Sequence, residues 1–415
     1  MTNYGLIGKK LTHSFSKEIH NELADYQYDL IELTEEEVAD FFVRKEFQAV
    51  NVTIPYKETV LPYLDEISPI AKKIGAVNTV VNKNGKLFGD NTDYWGMKAL
   101  AEKIGLDFSG KKVLVLGTGG TSKTARVLAE DLGAAKVYAL SRTKKEACIT
   151  YEEAISVHSD AQIILNTTPV GMYPECDKTP IDISHFPKLE GVLDAVYHPL
   201  CTNLVLDAKK RGIKAEGGLY MLVMQAVYAV EKFLDTKISE KKANSVYRRV
   251  LSSKENIVLT GMPGSGKTTV GKNISFGDFI FTDTDTEIEK RCGCTIKELI
   301  ETKGEPYFRD LETQVIREIS QKNGLIIATG GGAILREENV RALKRNGKLY
   351  FLDVNWKWLK ATESRPLSDT DEKLKKLYEE RIRIYRETAD VIVPNHETPR
   401  GAAYHILIKR EELCK

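Results

Sequence analysis

Two glycine-rich segments each follow a short apolar run, and they constrain the fold more than any other feature. The first reads GTGGTS from Gly117 to Ser122, directly after KKVLVL. The second reads GMPGSGKT from Gly261 to Thr268, directly after NIVLT. A buried strand that runs into a glycine-rich turn and then a helix is a phosphate-binding unit of α/β proteins, because its backbone N–H groups can approach phosphate oxygens. The sequence therefore predicts two nucleotide sites.

The two loops differ in the chemistry that they support. The second contains Lys267, whose amine can reach the β- and γ-phosphates of a nucleoside triphosphate, and Thr268, whose hydroxyl can bind Mg²⁺. The first has no lysine and suits a dinucleotide. We therefore expect one phosphoryl transfer and one redox reaction. The residues expected to hold the triphosphate are Gly264, Ser265, Gly266, Lys267, Thr268 and Thr269.

The bulk composition narrows the function classes. A chain of 415 residues is too long for one ordinary core and fits about two or three domains. Its formal net charge of +1 argues against a nucleic-acid binder, which needs a concentrated basic face. No apolar stretch reaches the ~20 residues that span a bilayer, and the six cysteines lack the spacing of a disulfide framework. We expect a cytoplasmic protein that acts on small molecules, with no membrane or nucleic-acid partner, and the sequence leaves its oligomeric state open.

Strand-like and helix-like segments alternate along the whole chain, which predicts an α/β fold with mostly parallel sheets. The apolar runs YGLIG, YDLIEL and AVNVTI belong to a first lobe, whereas KKVLVLG, KVYALS and AQIILNTTP belong to a second. The run NIVLT begins a further unit after a polar connector near Ser252. The long apolar helix from Leu219 to Leu234 is expected to pack between the first two lobes. The predicted domains are residues 1–100, 101–252 and 253–415.

Short motifs after the second loop carry candidate substrate contacts. FTDTD places Asp283 and Asp285 two residues apart, on the same side of an expected strand. One carboxylate can hold a magnesium-bound water, and the other can accept a proton from an acceptor hydroxyl. The motifs GEPYFRDLE, ESRPLS and RIRIYRE contribute Arg309, Arg365 and Arg386, and ATGGGA supplies glycines that can approach a small ligand. Two arginines can clamp a substrate carboxylate through paired hydrogen bonds.

This ordered set of motifs resembles shikimate kinase from Ile257 to about Leu407. The resemblance implies a P-loop kinase domain with a parallel sheet, which uses ATP and Mg²⁺ to phosphorylate the 3-hydroxyl of shikimate. It also implies that Asp285 is the catalytic base and that Lys267 acts on the transferred phosphate. The implied metal ligands are Thr268 and Asp283, the implied shikimate contacts are Arg309, Gly331, Gly332 and Arg386, and the implied ATP contact from a lid is Arg365.

The first half of the chain carries signals for a reduction. The run KVYAL is followed by Ser141, Arg142 and Thr143, where an NAD site usually carries an acidic residue, so the arginine favours the 2′-phosphate of NADP. Lys57 in NVTIPYK and Asp93 in GDNTD form the apparent acid/base pair. Reduction of a carbonyl needs such a proton donor beside the carbonyl oxygen while a hydride arrives from the cofactor.

The motifs of this half resemble those of shikimate dehydrogenase from Tyr4 to about Leu234. They include HSFS, NVTIPYK, GAVNTV, GDNTD, NTTPVGM, DAVYHP and GLYMLVMQA. The resemblance implies a two-lobed dehydrogenase with a Rossmann-like NADP lobe, in which Lys57 and Asp93 are catalytic. The implied substrate contacts are Ser14, Ser16, Asn51, Thr53, Asn78, Tyr197 and Gln225, and the implied NADP contacts are Gly117, Gly119, Gly120, Arg142, Thr143, Gly218 and Met221.

The two sets together predict a bifunctional enzyme, in which NADPH reduces 3-dehydroshikimate to shikimate and ATP then phosphorylates that shikimate. Two alternatives stay open. One is a quinate/shikimate dehydrogenase that uses NAD, against which Arg142 argues. The other is a kinase-like half that is weakly active or only binds nucleotide or shikimate, because the segment between LYFLDV and Arg365 is short for the family's lid helix.

Overall fold

The chain divides into two compact units, each with apolar cores of its own. The computed structural model describes residues 3–11, 14–274, 279–360, 370–395 and 398–413. The first unit comprises Met1–Val250 and the second comprises Leu251–Lys415. Within the described ranges, no helix combines the length and the apolar character that a membrane crossing needs.

The first unit begins with a six-stranded mixed sheet. Its strands are β1 (Tyr4–Gly8), β2 (Tyr28–Glu32), β3 (Ala49–Val52), β4 (Glu66–Ile67), β5 (Thr79–Lys83) and β6 (Lys86–Asp90). The accompanying helices are α1 (Ser16–Leu23), α2 (Glu35–Arg44), α3 (Pro69–Ile74) and α4 (Thr92–Lys103). The strand order is β2-β1-β3-β5-β6-β4, with β1, β2 and β3 parallel and β5 antiparallel to both its neighbours. The carboxyl ends of β1 and β3 therefore lie at one edge, where the serine motif and NVTIPYK follow them.

The second sheet of this unit is parallel throughout and contains the first glycine-rich loop. Its strands are β7 (Lys112–Leu116), β8 (Lys136–Ser141), β9 (Cys148–Thr150), β10 (Ile163–Asn166), β11 (Gly191–Asp194) and β12 (Lys214–Glu216). The helices are α5 (Gly120–Asp131), α6 (Tyr151–Val157), α7 (Asn203–Lys210), α8 (Leu219–Leu234) and α9 (Glu240–Lys254), whose residues after Val250 belong to the second unit. The order β12-β11-β10-β7-β8-β9 reverses direction at β7, so the loop after β7 lies where ligands of such sheets bind.

Helix α8 connects the two sheets of the first unit by packing. It contacts α1 and α4 beside the first sheet, and its Met221 lies in the same apolar core as Leu193 of β11. The approach to α4 is close, since a Cβ atom at Gly96 would lie 2.5 Å from the Met221 carbonyl oxygen. Only glycine therefore fits at position 96. This packing holds the motif GDNTD, which leads into α4, at a fixed distance from Gln225 on α8.

The second unit is a parallel five-stranded sheet with helices around it. Its strands are β13 (Asn256–Thr260), β14 (Ile280–Asp283), β15 (Leu325–Ala328), β16 (Gly347–Asp353) and β17 (Val391–Pro394). The helices are α10 (Lys267–Ile274), α11 (Thr284–Cys292), α12 (Ile296–Lys303), α13 (Glu305–Ser320), α14 (Glu337–Asn346), α15 (Asp371–Thr388) and α16 (Pro399–Leu413). The order is β14-β15-β13-β16-β17. The three neighbours β14, β15 and β13 thus end side by side, which brings FTDTD, ATGGGA and GMPGSGKT to one edge.

Candidate active sites

The first site is built around an ion pair. Lys57 follows β3, and Asp93 lies in the first turn of α4, whose N-cap Asn91 accepts a hydrogen bond from the Tyr94 backbone N–H. The Lys57 ammonium donates a hydrogen bond to an Asp93 carboxylate oxygen, and these side chains are 12% and 11% exposed. A Cβ atom at Gly120 would lie 3.7 Å from the Lys57 Cδ atom, so this lysine lies beside the start of α5. The structure therefore assembles the predicted acid/base pair next to the predicted dinucleotide loop.

A buried network of amides and hydroxyls adjoins the ion pair. The Asn51 side-chain amide donates to the Asn78 carbonyl at 3.2 Å and to the Thr79 hydroxyl at 3.1 Å. The Asn78 side-chain oxygen accepts from the backbone N–H of Thr92 at 2.7 Å. The Thr92 hydroxyl in turn lies 3.5 Å from the side-chain oxygen of Gln225. Three predicted substrate contacts thus meet here, and they are connected by Thr92 of the motif GDNTD, for which the sequence predicts no role.

The serine motif lies against Tyr197. The backbone N–H of Ser16 donates to the Ser14 hydroxyl oxygen at 3.2 Å, which turns the chain into α1. Between these serines, the Phe15 ring centroid lies 5.2 Å from that of Tyr197. Thr53 continues β3, because its backbone N–H donates to a carbonyl of β1 at 2.9 Å. Phe15 thus brings the serine motif, with the predicted substrate contacts Ser14 and Ser16, against the loop that carries Tyr197.

A buried carboxyl group supports the loop that carries Tyr197. Asp194 is fully buried at the end of β11 and accepts hydrogen bonds from the Thr202 hydroxyl, the Asn166 amide and the Val196 backbone N–H. Burial raises the pKa of Asp194 to about 7, although these three donors oppose the rise. The carboxyl thereby ties β10 and the start of α7 to the loop. Asp194 belongs to the motif DAVYHP, and the sequence predicts no separate role for it.

The dinucleotide loop has the backbone geometry of a phosphate cradle. Gly117 has a φ of +107°, which only glycine adopts readily, and a Cβ there would lie 3.0 Å from a Thr168 methyl group. The Ser122 hydroxyl closes the turn by donating to the Gly117 carbonyl at 2.7 Å. Gly119 is the N-cap of α5 and has open space where a side chain would stand. The N-terminal N–H groups of α5 are thus accessible to an anion.

The remaining predicted NADP contacts fall into two groups. Arg142 and Thr143 follow β8 directly, and both side chains are exposed. Gly218 is the N-cap of α8, and a Cβ there would lie 2.3 Å from the Ala195 carbonyl oxygen, so the glycine permits a close backbone approach. Met221 is only 7% exposed and packs in the apolar core. Its packing role is therefore evident in the structure, whereas its predicted contact with the nicotinamide stays a prediction.

The second site is a cavity of about 530 Å³ at the shared strand edge of the second unit. It includes most of the residues that the sequence predicted for this half. Predicted residues that line it are Gly264, Gly266, Lys267, Thr268, Thr269, Asp283, Asp285, Arg309, Gly331 and Gly332. Ser265 lies under the loop, where its backbone carbonyl accepts from the Asn395 amide at 2.8 Å. Arg365 lies outside the described residues.

The two aspartates are not on one strand as predicted. Asp283 is the last residue of β14 and the N-cap of α11, and its carboxylate accepts from the Asp285 backbone N–H at 3.1 Å. The chain enters the helix at once, so Asp285 lies in the first helical turn. Both carboxylates nevertheless line the cavity. The Thr268 hydroxyl donates to the other Asp283 oxygen at 2.8 Å, so the two predicted magnesium ligands are adjacent and fit an oxygen-preferring cation.

The carboxyl group of Asp285 lies in a buried and acidic environment. Burial raises its pKa to about 6, with further contributions from the Asp283 and Glu312 carboxylates. Its Oδ1 atom is buried and has no hydrogen-bond partner within the described part of the chain. A Cβ atom at Gly330 would lie 2.6 Å from this oxygen and 2.7 Å from a Glu312 oxygen, so only glycine leaves room between them. The free lone pairs of Asp285 can therefore accept a proton from a ligand.

Arg309 is held in place by two glutamates. Its Nη1 atom donates to Glu312 at 2.8 Å, and its Nη2 atom donates to Glu305 at 3.1 Å. Glu312 is fully buried, and a Cβ atom at Gly332 would lie 2.3 Å from the Arg309 Nη1 atom. The guanidinium therefore lies flat against the glycine segment and lines the cavity. Glu312 is not among the residues predicted from the sequence, although its position three residues after Arg309 on a helix indicates a contact.

The structure does not bring the second predicted arginine, Arg386, to the cavity. Arg386 does not line the cavity; its side chain is 54% exposed and pairs with Asp353 at 3.2 Å. Arg381, one helical turn and a half earlier on α15, is 7% exposed, lines the cavity and donates to the Gly331 carbonyl at 3.2 Å. The physical reason is helical periodicity, since residues five apart point in different directions from a helix. Arg381 is thus the partner of Arg309 at this site.

Tyr385 connects the two loops of this site. Its ring is fully buried and stacks on Phe351 with the centroids 5.1 Å apart. Its hydroxyl contacts the Gly261 carbonyl oxygen at 3.0 Å and also the carbonyl oxygen of Gly331. Lys267 donates to the same Gly261 carbonyl at 2.8 Å. Tyr385 belongs to the motif RIRIYRE but has no role predicted from the sequence, although it lies four residues after Arg381 on the same helical face.

Comparison with known proteins identifies relatives for both halves. The family model for the shikimate dehydrogenase substrate binding domain matches residues 6–80, and the family model for shikimate kinase matches residues 263–410. Shikimate dehydrogenase (NADP(+)) from Clostridium perfringens strain SM101 is 37% identical over 268 residues, which cover 60% of this chain and 98% of that protein.

Solved structures agree with this similarity over the first unit. Shikimate dehydrogenase 1 from Peptoclostridium difficile is 37% identical, with a TM-score of 0.56, and the match covers 60% of this chain and 98% of that one. Shikimate 5-dehydrogenase from Thermus thermophilus, in complex with NADP(H) and shikimate, is 30% identical, with a TM-score of 0.54, and the match covers 60% of this chain and 99% of that one.

Proposed function

Because the chain belongs to the shikimate dehydrogenase family and also carries a shikimate kinase domain, we propose that it catalyses two consecutive reactions on one small acid. The first unit reduces 3-dehydroshikimate to shikimate with NADPH. The second unit phosphorylates the 3-hydroxyl of shikimate with ATP and Mg²⁺. The observation that carries the proposal is that both units assemble a full set of reacting groups: Lys57 with Asp93 in one, and Asp285 with Lys267 and two arginines in the other.

In the first unit, the residues support proton donation to a carbonyl oxygen. NADPH, when bound, supplies the hydride. The Lys57 ammonium holds a transferable proton, and Asp93 orients it through their hydrogen bond. The network that includes Asn51, Asn78 and Gln225 positions hydroxyl groups of the substrate, while Ser14, Ser16, Thr53 and Tyr197 suit its carboxylate and the remaining hydroxyls. Arg142 and Thr143 would hold the 2′-phosphate of NADPH, and Gly117, Gly119 and Gly120 would hold its pyrophosphate; the exposure of both side chains after β8 supports this.

In the second unit, the residues support in-line phosphoryl transfer. Asp285 accepts the proton of the shikimate hydroxyl, and its raised pKa of about 6 strengthens it as a base while leaving it mainly ionised at neutral pH. Arg309 and Arg381 bind the substrate carboxylate, since both guanidinium groups lie at the cavity wall. Lys267 and the N–H groups of the loop stabilise the charge on the phosphates. Thr268 and Asp283, which already contact each other, would hold Mg²⁺, and the ion would neutralise charge on the phosphate oxygens.

A coupled assay with two variants tests the proposal. Purified protein receives 3-dehydroshikimate, NADPH and Mg²⁺·ATP, and the loss of NADPH and the gain of ADP are followed together. Lys267→Ala should abolish ADP formation and leave NADPH oxidation intact, whereas Lys57→Ala should slow NADPH oxidation about 10²–10⁴-fold and leave phosphorylation of added shikimate intact. Absence of shikimate-dependent ADP formation by the unaltered protein would refute the kinase half. Equal rates with NADH and NADPH would refute the assignment of NADP.

A further inference from the structure

Beside the kinase cavity, a fully buried hydroxyl group contacts two carbonyl oxygens at once. The Tyr385 oxygen lies against Gly261 of the nucleotide loop and against Gly331 of the glycine segment. A phenol has one proton, so it can donate a full hydrogen bond to only one of the two carbonyls at a time. The tyrosine is fully buried and has its ring fixed against Phe351, so the hydroxyl cannot move away from either carbonyl without repacking the core.

Each of the two carbonyls also has a second donor, and each of these donors is a ligand-binding cation. Lys267 donates to Gly261 at 2.8 Å, and Arg381 donates to Gly331 at 3.2 Å. A carbonyl oxygen has two lone pairs, so each can accept from its cation and from the tyrosine. The result is a continuous chain of contacts from the lysine that faces the nucleotide to the arginine that faces the small acid, and the tyrosine hydroxyl is its middle member.

We propose that Tyr385 is a positioning residue that couples nucleotide binding to shikimate binding within the kinase unit. When phosphates draw the Lys267 ammonium away from Gly261, that carbonyl loses a donor. The Tyr385 proton then turns to Gly261, which costs little because the hydroxyl already lies at hydrogen-bonding distance. Gly331 is left with Arg381 as its donor, and the arginine is thereby held more firmly in the orientation that meets a carboxylate.

The coupling has a definite sign. An arginine that is ordered before its ligand arrives loses less rotamer freedom on binding, so the second ligand binds more tightly. Nucleotide binding should therefore strengthen shikimate binding, and by thermodynamic reciprocity shikimate should strengthen nucleotide binding by the same factor. Loss of the hydroxyl should leave both separate affinities nearly unchanged and remove this mutual effect. The inference rests on the proposed kinase function, since it requires both ligands to bind in this cavity.

Calorimetric titration of the full chain with Mg²⁺·ADP, without and with saturating shikimate, measures the coupling directly. Nucleotide affinity is the readout, so shikimate bound at the dehydrogenase unit does not enter the measurement. We expect shikimate to tighten Mg²⁺·ADP binding about 5-fold or more in the unaltered protein and by less than about 2-fold in Tyr385→Phe, which keeps the buried ring. Tyr378→Phe is the matched control, because it removes a hydroxyl two turns earlier on α15, away from both carbonyls, and should keep the full coupling.

The titrations of the unaltered protein and its variants distinguish the role of the Tyr385 hydroxyl from the proposed kinase function. Coupling that is retained in Tyr385→Phe, or lost equally in Tyr378→Phe, overturns the role of the hydroxyl. An unaltered protein that binds each ligand but shows no coupling also overturns it, while leaving the proposed kinase function in place. Arg309→Ala should abolish the effect of shikimate on nucleotide affinity, and an effect that survives this change would arise outside the cavity and would overturn the inference. If shikimate-dependent phosphorylation is absent in the unaltered protein, the proposed function itself fails.

Discussion

At the scale of single residues, the balance of charge around Asp285 sets the pH range of the kinase reaction. A base must be unprotonated to accept a proton, and burial together with two neighbouring carboxylates raises the pKa of Asp285 to about 6. We therefore predict that kcat/KM for phosphorylation is constant above that pH and falls about tenfold per pH unit below it. Asp285→Asn, which has a similar shape but cannot accept the proton, should lower kcat about 10²–10⁴-fold at neutral pH.

A pair of glutamate variants tells whether the pH profile belongs to Asp285 or to the substrates. The Glu312 carboxylate contributes to the raised pKa of Asp285, so Glu312→Gln should move the fall in kcat/KM to lower pH. Glu305 pairs with the same arginine, but its side chain is 43% exposed, and Glu305→Gln should leave the midpoint in place. Ionisation of ATP or shikimate is identical in all variants. A midpoint that moves in neither variant would assign the profile to the substrates and contradict the role given to Asp285.

At the scale of elements, α15 shows what sequence motifs capture and what they miss. The motif RIRIYRE contains three arginines within six residues, and a motif alone does not say which of them faces the site. Helical spacing does, because Leu374, Arg381 and Tyr385 are the buried residues of this helix and lie at offsets of seven and four. The same spacing, counted from Leu374 along the sequence, selects Arg381 as a buried residue of the helix and excludes Arg386.

The two arginines of α15 provide a matched test of this reading. Arg381→Ala removes a buried guanidinium at the cavity wall, which should cost about 2 kcal/mol or more and raise KM for shikimate about 30-fold or more. Arg386→Ala removes an exposed ion pair, so KM should change less than about 2-fold. Steady-state kinetics of the kinase reaction at saturating Mg²⁺·ATP measure both. A larger effect of Arg386→Ala than of Arg381→Ala would restore the original assignment.

Other features of the fold and of the sites could be predicted from the sequence to different degrees. The sequence predicts the buried strands β7 and β13 from their apolar runs. It also predicts the turns after them, because glycine allows backbone conformations that other residues rarely adopt; both signals are local. Lys57 and Asp93 are predicted as an acid/base pair from their residue types and from the resemblance, but their contact across 36 positions depends on the tertiary fold. The prediction that Asp285 lies on a strand is wrong for a local reason. In FTDTDTE, Asp283 is a helix N-cap and is followed by acidic residues in the first turn, so the strand ends at Asp283 and a helix begins.

At the scale of the whole molecule, the two units carry separate cores and separate ligand sites, so their stabilities should respond to ligands separately. A ligand that binds only the folded form of one unit stabilises that unit by about 2.7 kcal/mol at a hundred times its Kd. We predict two unfolding transitions by differential scanning calorimetry. NADP⁺ should raise the midpoint of one of them, and Mg²⁺·ADP should raise the midpoint of the other.

Shikimate should behave differently from both nucleotides, because it is the product of the first reaction and the acceptor of the second. It should raise both midpoints in the unaltered protein. In Arg309→Ala it should raise only the transition that NADP⁺ shifts, and in Lys267→Ala the shift by Mg²⁺·ADP should vanish while that by NADP⁺ persists. If one nucleotide raises both midpoints equally, the units unfold as a single cooperative body. If shikimate raises only one, the sites do not share a ligand, and the consecutive reactions proposed for this chain are contradicted.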